Sequence, residues 1–405
     1  MRTSGTLPIA DRVERLGTET AFAVSAECAA WAGKGNAVFP FHLGDMDLRT
    51  PANVIAAAER ALADGKTGYC PNGGIPELRQ ALAADVSASH GLTYGPENVA
   101  IQPGGKPVIE KFLLTLMNPG DEVLYPNPGF PIYESQIEFL GGVAKPYGFV
   151  PGEKNFLLDF EAIEAAITPR TRLLIFNNLH NPTGAESPDS EIAALAELAR
   201  RHDLCVLSDE AYWDVRFAGE ALSIAALPGM AERTVILYTF SKKYAMTGWR
   251  LGAAIGPRWI IDICNTLNVN GESCTNHFVQ WGGVEALTGD QSGAADILKV
   301  LQRRRDAAFD ILSSTAGVHC LKPNTTFYLY PNVTGAMARC GLTNYESFRR
   351  AILEHTGVSM CTRLHFGPAL AGETQCYLRF AYSGLHTGQI REGLGLLKAF
   401  VEGRE

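Results

Sequence analysis

Short apolar runs alternate with amphipathic segments through the middle of the chain. Val99-Ala100-Ile101 leads into Gly104-Gly105 and then a helical stretch from Pro107 to Met117. Glu122-Val123-Leu124-Tyr125 stops at Pro126, and Arg172-Leu173-Leu174-Ile175-Phe176 stops at Asn177-Asn178. Ser187 then reads as an N-cap with Pro188 in the first helical position, and Asp189 and Glu191 favour the positive end of the helix dipole. Ile192, Leu195, Leu198 and Ala199 recur behind them at helical spacing. Cys205-Val206-Leu207, Val235 to Tyr238 and Gly252-Ala253-Ala254-Ile255 read as further strands. Strands that are apolar throughout, rather than alternately, are buried on both faces. The pattern predicts an α/β fold with a mostly parallel sheet and helices on both of its faces.

From residue 291 the pattern changes. A long charged helix containing Arg303, Arg304 and Arg305 precedes strand-like pieces at Phe327–Tyr330 and Gln375–Phe380, with helices around Tyr345–His355 and Gly388–Val401. This reads as a smaller α+β domain. At 405 residues two domains are the default. The expected division is a large domain over 50–290, with 1–49 and 291–405 forming the small one.

Composition narrows the function classes. A hydrophobic fraction of 46% with 19% charged residues describes a globular chain with ample core. The formal net charge of −8, without a long basic run, argues against a nucleic-acid partner. The nine cysteines are scattered, with no Cys-x-x-Cys pair and no zinc spacing, as expected of reduced thiols and no bound metal. No apolar run approaches the roughly 18 residues of a membrane span. The expectation is a soluble, cytoplasmic protein.

In an open parallel sheet, ligands lie beyond the carboxyl ends of the strands, so the polar residues that end each apolar run are candidates to converge. Those residues include Asn181-Pro182-Thr183-Gly184, Ser208-Asp209-Glu210-Ala211-Tyr212, and Thr239, Ser241 and Lys242. Gly104-Gly105 opens a helix N-terminus, which favours anions. A lysine just past a buried strand is poorly solvated and can lose its proton to attack a carbonyl, and Arg250 could hold an anion beside it. Spacing alone leaves Lys242 and Lys243 as alternatives. No Gly-x-Gly-x-x-Gly follows a strand, which disfavours a nicotinamide dehydrogenase.

Taken together, these motifs resemble the class I/II pyridoxal-phosphate-dependent aminotransferases, the aspartate aminotransferase-like members of fold type I. The resemblance runs from Gly44-Asp45-Met46-Asp47 to Arg379. It includes Tyr69 with Gly74-Ile75-Pro76-Glu77-Leu78-Arg79, Pro126-Asn127-Pro128-Gly129-Phe130, His180 to Gly184, Asp209 to Tyr212, and Ser241 to Gly252. It implies pyridoxal 5'-phosphate on Lys242, which also serves as the base for the substrate's α-proton, with Lys243 a solvated neighbour. It implies Asp209 beneath the pyridine nitrogen, Asn181 and Tyr212 on the ring's phenolic oxygen, and Phe130 stacked on the ring. The phosphate would meet the amides of Gly105 and Lys106, Thr239, Ser241 and Arg250, with Tyr69 reaching the phosphate of a neighbouring subunit in a homodimer with shared sites. Arg379 would grip the substrate α-carboxylate, near Asn181 and the backbone of Gly44. The implied reaction moves the amino group of an L-α-amino acid to a 2-oxo acid by a ping-pong mechanism. The alternative is a lyase, decarboxylase or oxidase using the same cofactor site. Two departures fall at the substrate entrance: Gly44-Asp45-Met46-Asp47-Leu48 stands where such proteins usually read Gly-Glu-Pro-Asp-Phe, and His42 lies just upstream. His42 is read as a satisfied, partly buried histidine, and His180 as local support.

Overall fold

The structure, a computed structural model, describes residues 3–4, 7–17 and 20–403. The other positions of the predicted small domain (1–2, 5–6, 18–19 and 404–405) lie outside the described residues.

Seven strands build the main sheet: β1 (Val99–Gln102), β2 (Glu122–Pro126), β3 (Val143–Tyr147), β4 (Thr171–Phe176), β5 (Cys205–Asp209), β6 (Thr234–Thr239) and β7 (Gly252–Ile255). Their spatial order is β1-β7-β6-β5-β4-β2-β3. Neighbours run parallel except β7, which is antiparallel to both β6 and β1. Every residue of β1, β2 and β7 is buried, which explains their unbroken apolar runs. Alternate residues enter different cores. Ala100, Val123, Ile175, Leu207 and Leu237 pack against Phe112 and Ile260 on one face. Ile101, Ile236 and Tyr238 pack against Leu78, Leu82 and Val279 on the other, where Leu174, Phe176 and Val206 meet Ile192 and Leu195. Phe112 is fully enclosed, and its truncation to Ala would cost about 3–5 kcal/mol.

A separate core lies between a three-stranded antiparallel sheet and the helices Ser292–Ser313, Tyr345–Thr356 and Thr387–Glu402. In that sheet Leu378–Ala381 is central, flanked by Tyr328–Leu329 and Cys361–Thr362. The N-terminal segment joins it where Phe39–Pro40 pairs in parallel with Val358–Ser359, carrying Phe39 and Phe41 into the core.

Two local expectations change. Ser187 is not the cap: its N–H donates to Asn178 Oδ1, Pro188 stays extended as the N-cap residue, and the helix begins at Asp189. The predicted strand at Gln375–Phe380 starts only at Leu378, because the amides of Cys376 and Tyr377 donate to the hydroxyls of Thr334 and Tyr345.

Candidate active site

The ends of β4, β5 and β6 and the turn after β1 open onto a cleft of about 370 Å³, closed on its far side by Gly44, Tyr328, Phe366 and Arg379. Lys242 follows β6 by three residues. Its Nζ donates to the carbonyl of Gly44 at 3.1 Å and lies 5.3 Å from the ring centre of Phe327 and 5.8 Å from that of Tyr212. Lys243 turns away from this cleft. It is not the solvated neighbour expected, because Nζ pairs with Asp214 at 3.0 Å. Burial lowers the Lys243 pKa, but Asp214, Tyr244 and Asp85 together outweigh it and the net shift is upward.

Asp209 ends β5 with its carboxylate buried. Oδ2 accepts from the Tyr133 hydroxyl at 2.5 Å and Oδ1 from the Ala211 amide at 3.1 Å. Burial raises its pKa to about 6 against both bonds. The Asn177 side chain donates to the Asp209 carbonyl and accepts the Asn181 amide, tying the two strand ends together. Asn181 Oδ1 accepts from Arg379 Nη1 at 3.1 Å, so the amide NH₂ of Asn181 is the end available to donate. Tyr212 is buried, with its hydroxyl 2.6 Å from that of Tyr328.

Arg379 sits in the central strand of the small sheet. Its guanidinium is sandwiched at 4.5 Å between the rings of Tyr328 and Phe366, and Nη2 donates to the His42 carbonyl at 2.6 Å. Its Nε is buried and has no hydrogen-bond partner among the described residues. A buried cation with an unused donor, held flat between two aromatic faces, is prepared for a planar anion.

A second group of anion-binding donors faces Arg379 across the cleft. Gly104 adopts φ of +101°, and a Cβ there would collide with the Arg250 guanidinium. This close approach sets Arg250 beside the N-terminus of the helix Lys106–Leu116, where Gly105 and Lys106 begin the first turn. Thr239 and Ser241 complete the cup, their hydroxyls 2.9 Å apart. Phe130 and Lys106 form the adjoining wall, with Lys106 Nζ 5.7 Å over the Phe130 ring.

All the expected residues thus line one cleft except Tyr69, whose side chain lies on the surface, 89% exposed. His42 is buried as expected: Nε2 meets Ser25 Oγ at 3.1 Å, Nδ1 faces Cys28, and burial lowers its pKa to about 4. His180 is enclosed, bonded through Nδ1 to Thr183 Oγ1 at 2.8 Å, with its pKa lowered by burial to about 3. The unusual strip has local roles. Asp45 accepts from Thr247 and from the Met46 amide, while Asp47 accepts both Nη atoms of the buried Arg304.

Sequence reasoning missed Tyr133, Tyr328, His365 and Phe366. Tyr133 packs edge to face on Phe130 at 5.7 Å, but Phe130 precedes the helix Ile132–Phe139, so no helical period marked the pair in the sequence. Tyr328 carried no signal either, being one of three aromatics in Phe327-Tyr328-Leu329-Tyr330.

The family model for aminotransferase class I and II matches residues 37–397. The chain is 36% identical to the aspartate/prephenate aminotransferase of Cereibacter sphaeroides over 89% of its length and 92% of that protein. It is 31% identical to the aspartate aminotransferase of Bacillus subtilis over 98% and 99% of the two chains. Its fold superposes on the Rhizobium meliloti aspartate aminotransferase with a TM-score of 0.90 at 28% identity, covering 98% of this chain and 99% of that one.

Proposed function

This chain belongs to the class I and II aminotransferase family and is a transaminase, and we propose that it holds pyridoxal 5'-phosphate on Lys242 and works by a ping-pong sequence between an L-α-amino acid and a 2-oxo acid. The single observation that carries the site assignment is the placement of Lys242, Asp209 and Arg379 around one cleft, with an anion cup beyond them.

The residues fit that cofactor. The cup of helix amides, two hydroxyls and Arg250 suits a phosphate dianion, and the bare Gly104 backbone lets the Arg250 guanidinium close in beside it. Asp209 has spare lone pairs on both oxygens and suits a protonated ring nitrogen. When bound, pyridoxal phosphate supplies a carbonyl carbon that captures an amine and a ring that accepts an electron pair.

The chain's own groups supply the rest. Asp209, ionised beside a cation, holds the proton on the ring nitrogen, while Tyr133 and the Ala211 amide keep its carboxylate in place. Tyr212 and the Asn181 NH₂ would hold the ring oxygen of such a group, and Phe130 would pack against its ring. Arg379 orients the substrate by its α-carboxylate, with Nε finding its partner there. Lys242 Nζ, against the Gly44 carbonyl, is positioned to take the α-proton and return it on the other side of the reaction. The large domain, about 50–290, would carry the cofactor, and the small domain, 1–49 and 291–405, would bring Gly44 and Arg379.

An acidic amino donor of the aspartate type is the substrate we favour. Lys106, Lys242, Arg250 and Arg379 line the cleft against Asp45 and Asp209, a positive balance suited to several carboxylate and phosphate groups. Lys242, Arg250 and Arg379 have the roles above, and Lys106 on the Phe130 wall would meet a side-chain carboxylate. The relatives' own names, aspartate and aspartate/prephenate aminotransferase, support this choice.

A homodimer with Tyr69 crossing to the partner's phosphate completes the reading. Tyr69 is 89% exposed, and its loop is bound to the end of the helix Arg258–Asn270 and the segment after it: Asn268 donates to the Asn72 carbonyl and Asn72 to the Ser273 carbonyl. That helix turns Trp259, Ile263 and Val269 outward, an apolar surface suited to a second subunit. Nine free thiols support a cytoplasmic setting, and no helix among the described residues is long and apolar enough to cross a membrane.

The test is the half-reaction without acceptor. An amino donor should yield one equivalent of its 2-oxo acid per site and leave the amino group on the protein. Release of free ammonia with continuing turnover would replace transamination by elimination.

A further inference from the structure

Tyr328 has no part in the assignments above, yet its hydroxyl lies 2.6 Å from that of Tyr212, with both side chains buried. The rings meet edge to face at 5.6 Å, so packing fixes the contact. Three further features hold Tyr328 in place. Its strand pairs with Leu378–Ala381, the strand that carries Arg379. The Arg379 guanidinium lies over its ring at 4.5 Å. Its hydroxyl stands so close to Gly44 that a Cβ there would collide with it.

Two hydroxyls in contact hold two protons, and only one of these can lie between the oxygens. The surrounding charges decide which. Arg379 acts on both hydroxyls, favouring loss of the Tyr212 proton against the opposing Asp209 carboxylate. Its guanidinium stacks directly on the Tyr328 ring at 4.5 Å, however, and this closer contact makes the Tyr328 hydroxyl the better donor. Lys242 Nζ, 5.8 Å over the Tyr212 ring, also faces the pair. We propose that Tyr328 is a positioning residue for the reaction, donating to the Tyr212 oxygen and so turning the Tyr212 proton into the cleft, onto the ring oxygen of the cofactor. The inference rests on the role given to Tyr212 above. A hydroxyl that accepts a hydrogen bond becomes a stronger donor in turn, so the chain Tyr328 to Tyr212 to ring oxygen favours the anionic oxygen.

The experiment uses the holoenzyme and the pH at which the visible band of the lysine-linked cofactor titrates. Tyr328→Phe should raise that midpoint by roughly half a unit to one unit, the effect of one lost hydrogen bond. Tyr212→Phe should raise it further. The double variant should titrate where Tyr212→Phe does, since Tyr328 acts only through Tyr212. Far-ultraviolet circular dichroism and the melting temperature check that each variant is folded. An unchanged midpoint in Tyr328→Phe overturns the inference alone. So does an equal shift caused by Tyr328→Phe in the Tyr212→Phe background. A wild-type holoenzyme with no such band overturns the cofactor reading and this inference together.

Discussion

Tyr133 donates its phenolic proton to Asp209 Oδ2 across 2.5 Å, and both side chains are buried. Even so, burial holds the Asp209 carboxyl up at about 6. An acid whose pKa is higher folded than unfolded binds more protons in the folded state. Its contribution to stability is full below about pH 4 and is lost as the pH rises through about 6. In the apoenzyme, Asp209→Asn should therefore melt higher than the wild type at pH 7, by at most ~3 kcal/mol, and lose that advantage near pH 4. In the holoenzyme the same change should reduce kcat by orders of magnitude. Thermal scans of both apoproteins across this range decide it, and a variant less stable at pH 7 would refute the strained-carboxylate account.

Arg379 presents a different balance. Its contacts with His42, Asn181, Tyr328 and Phe366 use the faces of the guanidinium and both Nη atoms, while Nε stays unmatched. Arg379→Lys keeps the charge but not the fork or the stacking. It should raise KM for the amino acid by at least 30-fold, corresponding to about 2 kcal/mol or more, with cofactor affinity changed only a few-fold. Equal losses of both affinities would make Arg379 a structural residue.

The adjacent lysines separate cleanly by their partners. Lys242→Ala should abolish the borohydride-reducible adduct and leave the fold intact. Lys243→Ala should keep the adduct and lower the melting temperature, because it strands Asp214 and removes the positive charge near Asp85. Mass spectrometry of the reduced proteins gives the answer directly. An adduct retained in Lys242→Ala and missing in Lys243→Ala would exchange the two assignments.

That separation marks the limit of what the chain discloses. Unbroken apolar runs such as Val99 to Ile101 identify buried strands because both faces of the sheet are covered, and the polar residues ending them fall in one cleft as a consequence. Lys243 misleads because its partner, Asp214, lies 29 positions away and becomes a neighbour only when the chain folds. Tyr328 and Phe366 were hidden for the same reason: one reaches the cleft from the small sheet and the other from the turn Arg363–Phe366 after its edge strand, and no local period distinguishes them from core aromatics. The antiparallel direction of β7 was equally unreadable, since a buried run is apolar whichever way it points.

Lys106 tests the substrate. With its Nζ over the Phe130 ring on the cleft wall, its ammonium should matter only to donors with a second carboxylate. Lys106→Ala should lower kcat/KM for aspartate by about 10- to 100-fold and leave alanine nearly unchanged, since one charged hydrogen bond is worth about 1.5–3 kcal/mol. Parallel loss for both donors would point instead to a role in the phosphate cup.

Tyr69 tests the assembly. Tyr69 is 89% exposed on a loop fixed by Asn72, Asn268 and Ser273, so its side chain is held out where another subunit can reach it. If it serves the neighbouring subunit, Tyr69→Ala should weaken cofactor binding although Tyr69 touches nothing in its own cleft. The decisive measurement mixes two inactive proteins, Lys242→Ala and Tyr69→Ala, under conditions that exchange subunits. In a mixed dimer the Tyr69→Ala subunit keeps its own Lys242 and receives Tyr69 from its partner, so one site is whole. Random exchange should then restore about a quarter of wild-type activity, because half of the dimers are mixed and each has one intact site of two. Activity that stays at the sum of the two parents would mean that each subunit builds its site alone.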